Sequence, residues 1–292
     1  MSATVVEARG ATLPRIGFGT WLLYGPAATD GVRDALELGY RNVDTARFYE
    51  NEIRVGMGIA ESGVPREQIF LTSKVLLSPV WSARPDRARV ARPDALRWET
   101  EDALRWETED SLMKLDTDYL DLLLLHWPDP DVPLERTLAT MVALREEGLI
   151  RQLGVSNFPP GMLRAACKLA PVFCNQVEYH PFLSQERLLD AARELDVLVT
   201  AHTPLARGRV ASDETLARIG ARHGRTAIQV ALRWLVEQDG VSVAAAATTH
   251  EWRVDNLAIF DFELTNDDRA EIARLPKDGR VVEPPWAPDW DA

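Results

Sequence analysis

Cysteine is scarce: Cys167 and Cys174 are the only two in 292 residues. A disulfide framework needs more, and no cysteine pair has metal-ligand spacing, so neither a stapled scaffold nor a zinc module fits. Long apolar runs are also missing. The longest, Val241 to Ala247 with one serine inside, is far too short to span a bilayer. The N-terminus, MSATVVEARG, has no basic region followed by an apolar stretch and does not read as a signal peptide. Basic charge is outweighed: 33 Lys and Arg stand against 45 Asp and Glu, a net charge of -12. Binding to a nucleic-acid backbone would need a basic face. These absences lead to the expectation of a cytoplasmic protein with neither membrane nor nucleic acid among its partners.

What is present is a globular pattern, with 46% hydrophobic and 27% charged residues. Eight short apolar, β-branched runs are expected strands: 16–20, 41–44, 69–74, 119–126, 152–156, 173–177, 197–202 and 241–245. Between them lie stretches with apolar residues at helical spacing, such as 137–147 and 185–195. Eight strand–helix repeats in fewer than 300 residues predict an α/β fold, a (β/α)8 TIM barrel. No Gly/Ser-rich or Pro-rich linker divides the chain, so a single domain is expected. The rival is a doubly wound dinucleotide fold, whose fingerprint is G-x-G-x-x-G. Gly17-Phe18-Gly19 begins that pattern, but Leu22 stands where the third glycine belongs.

One segment is unusual. From Ala83 the chain reads ARPDRARV, ARPDALRW, ETEDALRW, ETEDSLMK, four consecutive octads. DALRWETE occurs twice, at 94–101 and 102–109. Eight residues rotate a helix by ~80° beyond two turns, so Trp98 and Trp106 cannot share a face. A helix-tuned repeat would use seven or eleven residues. The pattern reads as a coding duplication that lengthened a loop and helix at about 78–110. The sharper alternative is an added lid or partner-binding arm.

In a barrel enzyme the site lies at the C-terminal ends of the strands. The second expected strand ends at Asp44, with Tyr49 five residues on; the third ends at Lys74 and the fourth at His126. Their chemistry is complementary. A tyrosine hydroxyl, pKa about 10, is a poor acid at neutral pH. A nearby ammonium stabilises the phenolate and lowers that value. A carboxylate holds the lysine and compensates its burial. A histidine can donate a hydrogen bond to a carbonyl oxygen. Such a group would protonate an oxyanion as hydride reaches the carbon. Taken singly, each has a plainer reading: Asp44 as an N-cap for a helix starting near Ala46, Lys74 as a solvated charge, Tyr49 as a rim aromatic, His126 as a satisfied buried histidine.

The same residues sit in longer motifs. LPRIGFGTW at 13–21, ALELGYRNVDTARFYENE at 35–52, GVSNF at 154–158 and NQVEYHPF at 175–182 occur in order. In these the chain resembles the aldo-keto reductase superfamily, from about residue 13 onward except at the octads and near 244–253. The tail VEPPWAPDWD is similar to the ending of the bacterial 2,5-diketo-D-gluconate reductase branch. The resemblance implies a carbonyl reductase using NADP(H) and no metal. It implies Tyr49 as general acid in reduction, tuned by Lys74 and Asp44, with His126 orienting the carbonyl. It places Ser156, Asn157 and Gln176 on the nicotinamide carboxamide. Gly19, Thr20, Thr248 and Asn256 are implied as further cofactor contacts. Pro204, Leu205, Arg207 and Gly208 belong to a loop, from Thr203, that covers the pyrophosphate. Trp21, Phe48 and Trp127 would line the pocket for a small carbonyl substrate. Trp286 and Trp290 are candidate pocket walls, with surface packing as the alternative. Relatives of this size are often monomers, so a monomer is expected.

Two departures stand out. His202 occupies the place of an aromatic residue that stacks on the nicotinamide; it covers less area and can titrate. After the eighth strand the family has Pro, then Lys-Ser, then Arg, then Glu-Asn, with the Lys and Arg clamping a 2′-phosphate. Here these become Ala245, Ala246, Ala247, Trp252 and Asp255, with Asn256 retained. Charge-assisted hydrogen bonds contribute roughly 1.5–3 kcal/mol each, so losing two predicts that NAD(H) is accepted as well. Arg253 and His250 are the candidates to replace them. The altered stretch also admits two other readings: a non-catalytic nucleotide-binding subunit on the same fold, or an engineered variant with impaired cofactor binding.

Overall fold

The computed structural model describes residues 4–77 and 100–290. A hairpin, β1 (Val5–Ala8) and β2 (Ala11–Pro14), comes first. The remaining strands are β3 (Ile16–Gly19), β4 (Asn42–Asp44), β5 (Phe70–Val75), β6 (Leu120–Leu125), β7 (Ile150–Ser156), β8 (Cys174–Glu178), β9 (Leu198–His202) and β10 (Val241–Ala245). They close into one barrel in the order β10-β3-β4-β5-β6-β7-β8-β9, every pair parallel. The helices around it are α1 (Pro26–Leu38), α2 (Glu52–Glu61), α3 (Thr100–Leu115), α4 (Leu134–Glu146) and α5 (Pro160–Leu169). They continue with α6 (Glu186–Leu195), α7 (Glu214–His223), α8 (Ala227–Glu237), α9 (His250–Leu257) and α10 (Asn266–Ala273). All eight expected barrel strands are present, each within two residues of its expected bounds. The helix expected at 137–147 begins three residues earlier. Among the described residues no helix is long and apolar enough to cross a membrane.

Strand parity organises the interior. Side chains alternate across a strand. Odd positions such as Val43, Leu71, Leu123, Val155, Val177 and Val243 belong to the main apolar cluster with the surrounding helices. Even positions Leu122, Leu124, Cys174 and Leu198 instead meet Val6 and Leu13 of the hairpin. Burial on both faces explains why β6 reads as an almost unbroken apolar run, LDLLLL. The interior has no spare room. A Cβ on Gly154 would lie 2.6 Å from both the Cys174 carbonyl oxygen and the Leu124 side chain.

The hairpin closes the N-terminal end of the barrel. From its turn, Arg9 donates to the carbonyls of Val172 (2.9 Å) and Leu195 (2.8 Å), just before β8 and β9. At the opposite, C-terminal rim, even positions carry Asp44, Lys74, His126, Gln176 and His202.

Helix α3 contains the second copy of the repeated octad. It buries Leu104, Thr108, Ser111 and Leu115, one face at helical spacing. Residues 78–99 of the expected insert, which include Trp98 and all of the first copy but its last two residues, lie outside the described residues.

Candidate active site

Tyr49 reaches the rim on a single 3-10 turn, Arg47–Tyr49, held by its own N–H donating to the Ala46 carbonyl at 2.9 Å. Lys74, on β5, is fully buried. Its Nζ donates to Asp44 Oδ1 at 2.5 Å, to the Thr45 carbonyl at 2.9 Å and to Tyr49 Oη at 3.3 Å. A lysine ammonium has three N–H donors and no acceptor, so all three are used. Because Lys74 can only donate, Tyr49 Oη must accept from it, and the phenolic proton is left to point elsewhere. Asp44 is therefore no N-cap. Its second oxygen accepts from Gln176 Nε2 at 2.6 Å.

The electrostatics follow. Burial alone would lower the Lys74 ammonium, but Asp44 and Tyr49 oppose this and hold it above its ordinary value. Burial pushes the Tyr49 hydroxyl up, and Lys74 pulls it down only in part. The net direction is upward, whereas the ammonium considered alone predicts a decrease; desolvation of the phenolate outweighs the neighbouring charge. His126 follows β6, and its ring meets the edges of Tyr49 and Phe48 at centroid distances of 6.0 and 6.2 Å. Its Nδ1 is buried with no hydrogen-bond partner among the described residues. Burial, helped by the Lys74 charge, drops its pKa well below the usual histidine value, so the imidazole is neutral.

Of the aromatic residues named from the sequence, Trp21 and Phe48 gather at this point. Trp21 stacks on Phe48 at 5.9 Å and tilts against Tyr49 at 4.8 Å. Trp127 is buried and meets Trp290 of the C-terminal tail edge-on at 6.2 Å. Trp286 is half-buried in the same tail.

The expected cofactor residues form a continuous arc from β7 to β10. Asn157 has a left-handed backbone, φ 63°, a conformation asparagine tolerates better than most residues. Its Nδ2 donates to the His126 carbonyl and to Ser156 Oγ, both at 3.0 Å. Ser156 Oγ in turn donates to the Gln176 carbonyl at 2.8 Å. His202 Nε2 lies 3.0 Å from Asn157 Oδ1 and its Nδ1 3.0 Å from Thr203 Oγ1. Burial takes its pKa down to about 3, so this histidine stays neutral at ordinary pH, contrary to its expected readiness to titrate. In the following loop Pro204 is buried, Leu205 packs against two apolar clusters, and Arg207 and Gly208 are exposed with positive φ. Gly19 pairs with Asp44 in register, and Thr20 Oγ1 is engaged with Thr45 Oγ1 at 2.9 Å.

At the far end, Ala246 and Thr248 are exposed and Asn256 is buried. Arg253 and His250, the candidates to replace the missing cations, both contact Asp34. Arg253 Nε bonds Asp34 Oδ2 at 2.5 Å, and its NH1 donates to the Ala247 carbonyl at 3.0 Å. His250 Nδ1 lies 2.7 Å from the other Asp34 oxygen. One carboxylate on α1 holds both.

Two further features escaped the motif reading. Asn51 is buried; its Nδ2 donates to the carbonyls of Thr20 (2.8 Å) and Leu23 (3.0 Å), tying the loops after β3 and β4 together. Its place two residues after Tyr49 was the available signal. Arg47, two residues before Tyr49, pairs with Asp110 of α3 and lies 4.6 Å over the Trp106 ring.

The profile of the Aldo/keto reductase family matches residues 15–277. The chain is 35% identical to methylglyoxal reductase DkgB of Escherichia coli O157:H7 over 285 residues, covering 96% of this chain and 99% of the relative. It is 37% identical to glyoxal reductase of Bacillus subtilis (strain 168) over 281 residues, covering 95% and 94%. A solved structure provisionally assigned as 2,5-diketo-D-gluconic acid reductase B superposes with TM-score 0.89 at 41% identity, over 99% of this chain and 98% of that one.

Proposed function

The chain belongs to the aldo/keto reductase family, and from that premise we propose that it reduces small aldehydes, ketones or keto-sugars to alcohols with a reduced nicotinamide cofactor, Tyr49 supplying the proton. The observation that carries this reading is the saturated Lys74 ammonium. It fixes the Tyr49 oxygen as an acceptor and leaves the phenolic proton for a substrate. The relatives named methylglyoxal and glyoxal reductases support a small carbonyl as that substrate.

The rim residues fit the nicotinamide end of the cofactor. Ser156, Asn157 and Gln176 would hold its carboxamide, the neutral His202 would lie against the ring, and Thr203 to Gly208 would cover the pyrophosphate. When bound, the reduced nicotinamide supplies the hydride. The chain's own residues do the rest. His126, neutral and walled by aromatics, orients the carbonyl oxygen towards Tyr49. Tyr49 donates its proton to that oxygen, and the Lys74 ammonium stabilises the phenolate left behind. Asp44 keeps the ammonium in place, and Gln176 keeps Asp44. Trp21, Phe48 and Trp127 keep water from the reacting atoms, where weak shielding makes each charge count for more. A positioned general acid contributes typically 10²–10⁴-fold.

The 2′ end is different. Alanines stand at 245–247, and Asp34 occupies Arg253 and His250. These residues suit an unphosphorylated ribose at least as well as a phosphorylated one. We read NADP(H) as a cofactor of this site and NAD(H) as an accepted alternative, within one barrel domain.

Loss of reduced-nicotinamide absorbance with methylglyoxal, glyoxal and simple aldehydes tests the reading. Turnover with at least one of these supports it, and inertness towards all of them with both cofactors refutes it.

A further inference from the structure

Glu178 ends β8 on the inward side of the barrel and is fully buried. The chemistry above gives it no task. A buried carboxylate is costly unless its oxygens are satisfied. Here one oxygen lies 2.9 Å from His180 Nε2 and accepts from the backbone N–H of Val281 at 2.7 Å. The other accepts from the N–H of Val282 at 2.8 Å. Burial works against ionisation, yet these donors hold the carboxyl below its usual range.

The two backbone donors belong to the C-terminal tail, more than a hundred residues away in sequence. Around them the tail is fastened to the loop that follows β8. Lys277 Nζ donates to the Pro181 carbonyl at 2.6 Å, and the Gly279 N–H donates to the Phe182 carbonyl at 2.8 Å. Beyond Val282 the tail turns at Pro284–Ala287, where the Ala287 N–H donates to the Pro284 carbonyl at 2.8 Å. It then reaches the β6 side of the rim. There Trp290 meets Trp127, the residue after His126, and the Arg280 guanidinium lies 3.7 Å over the Trp290 ring. A rim carboxylate thus anchors a strap whose end meets the residue that follows His126.

We propose that Glu178 is a positioning residue for substrate choice: its carboxylate latches the strap, and the strap sets Trp290 against Trp127 as a wall of the carbonyl pocket. Such a wall favours carbonyls bearing an apolar or aromatic group over the smallest dicarbonyls. The assignment rests on the reading of Tyr49 and His126 as the carbonyl site.

Glu178→Gln in the full chain tests it. Hydrogen exchange across residues 280–290 should accelerate at least tenfold, with strand peptides unchanged. KM for an aryl aldehyde should rise about tenfold, while its kcat and the kcat/KM for methylglyoxal stay put. Val281→Pro removes one tail donor without touching the barrel and should reproduce both effects. Active enzyme with unchanged strap exchange in both variants overturns the assignment, as does a loss of equal proportion for both substrates. If the wild type reduces no carbonyl, the catalytic reading itself fails and this assignment falls with it.

Discussion

The Lys74 ammonium donates to the Tyr49 hydroxyl oxygen at 3.3 Å while Asp44 holds it from the other side at 2.5 Å. Removing that counter-charge leaves a buried ammonium uncompensated. Asp44→Ala should lower unfolding free energy by about 3–5 kcal/mol, the range for breaking a buried ion pair. Chemical denaturation measures this. Lys74→Met leaves the buried Asp44 carboxylate without its cation and should cost a similar amount, while kcat falls at least a hundredfold.

Arg47 ties the turn carrying Tyr49 to α3, through Asp110 and the Trp106 face. Loosening this clamp should misplace the acid without touching substrate. Asp110→Asn is expected to lower kcat several-fold with KM for the cofactor unchanged. Steady-state kinetics with the cofactor varied would show it; an effect on cofactor KM alone would speak against the clamp.

Cofactor choice follows from the occupied Arg253 and His250. The wild type should bind NADPH less than a hundredfold more tightly than NADH. Introducing Ala246→Lys and Trp252→Arg together should tighten NADPH at least tenfold and leave NADH nearly unchanged. Each restored charge-assisted contact contributes roughly 1.5–3 kcal/mol before ordering costs. Fluorescence titration with both cofactors reads the ratio.

His202 is neutral in the folded chain, with its pKa taken down to about 3, against about 6.5 when unfolded. The unfolded state therefore binds the extra proton between these values. The stability due to the neutral ring is whole above about pH 6.5 and is lost as pH falls towards 3, at about 1.4 kcal/mol per pH unit. His202→Phe removes that proton uptake. Its acid unfolding curve should be shallower than the wild type's over this window, measured by denaturation at a series of pH values.

The barrel was legible because its strands are mostly buried on both faces and separated by helical spacing, LDLLLL in β6 being the plainest case. Strand parity then carries Asp44, Lys74 and His126 to one rim, so strand ends alone pointed to the site. The hairpin was not legible. Four-residue strands either side of Arg9-Gly10 carry too little pattern, and their burial comes from the barrel end they cover. The pairing of Arg253 and His250 with Asp34, more than two hundred residues away, and the Glu178 latch were equally hidden. Local sequence shows charges, while the fold decides which of them are already taken.

Tyr49 is proposed to deliver the proton. Tyr49→Phe keeps the ring that packs on Trp21 and removes only the hydroxyl, so cofactor binding should be preserved. Carbonyl reduction by wild type and variant, measured under saturating cofactor, decides the matter. A loss in kcat of at least a hundredfold is expected, with cofactor Kd unchanged. A variant that reduces methylglyoxal or any other accepted carbonyl at the wild-type rate would contradict it.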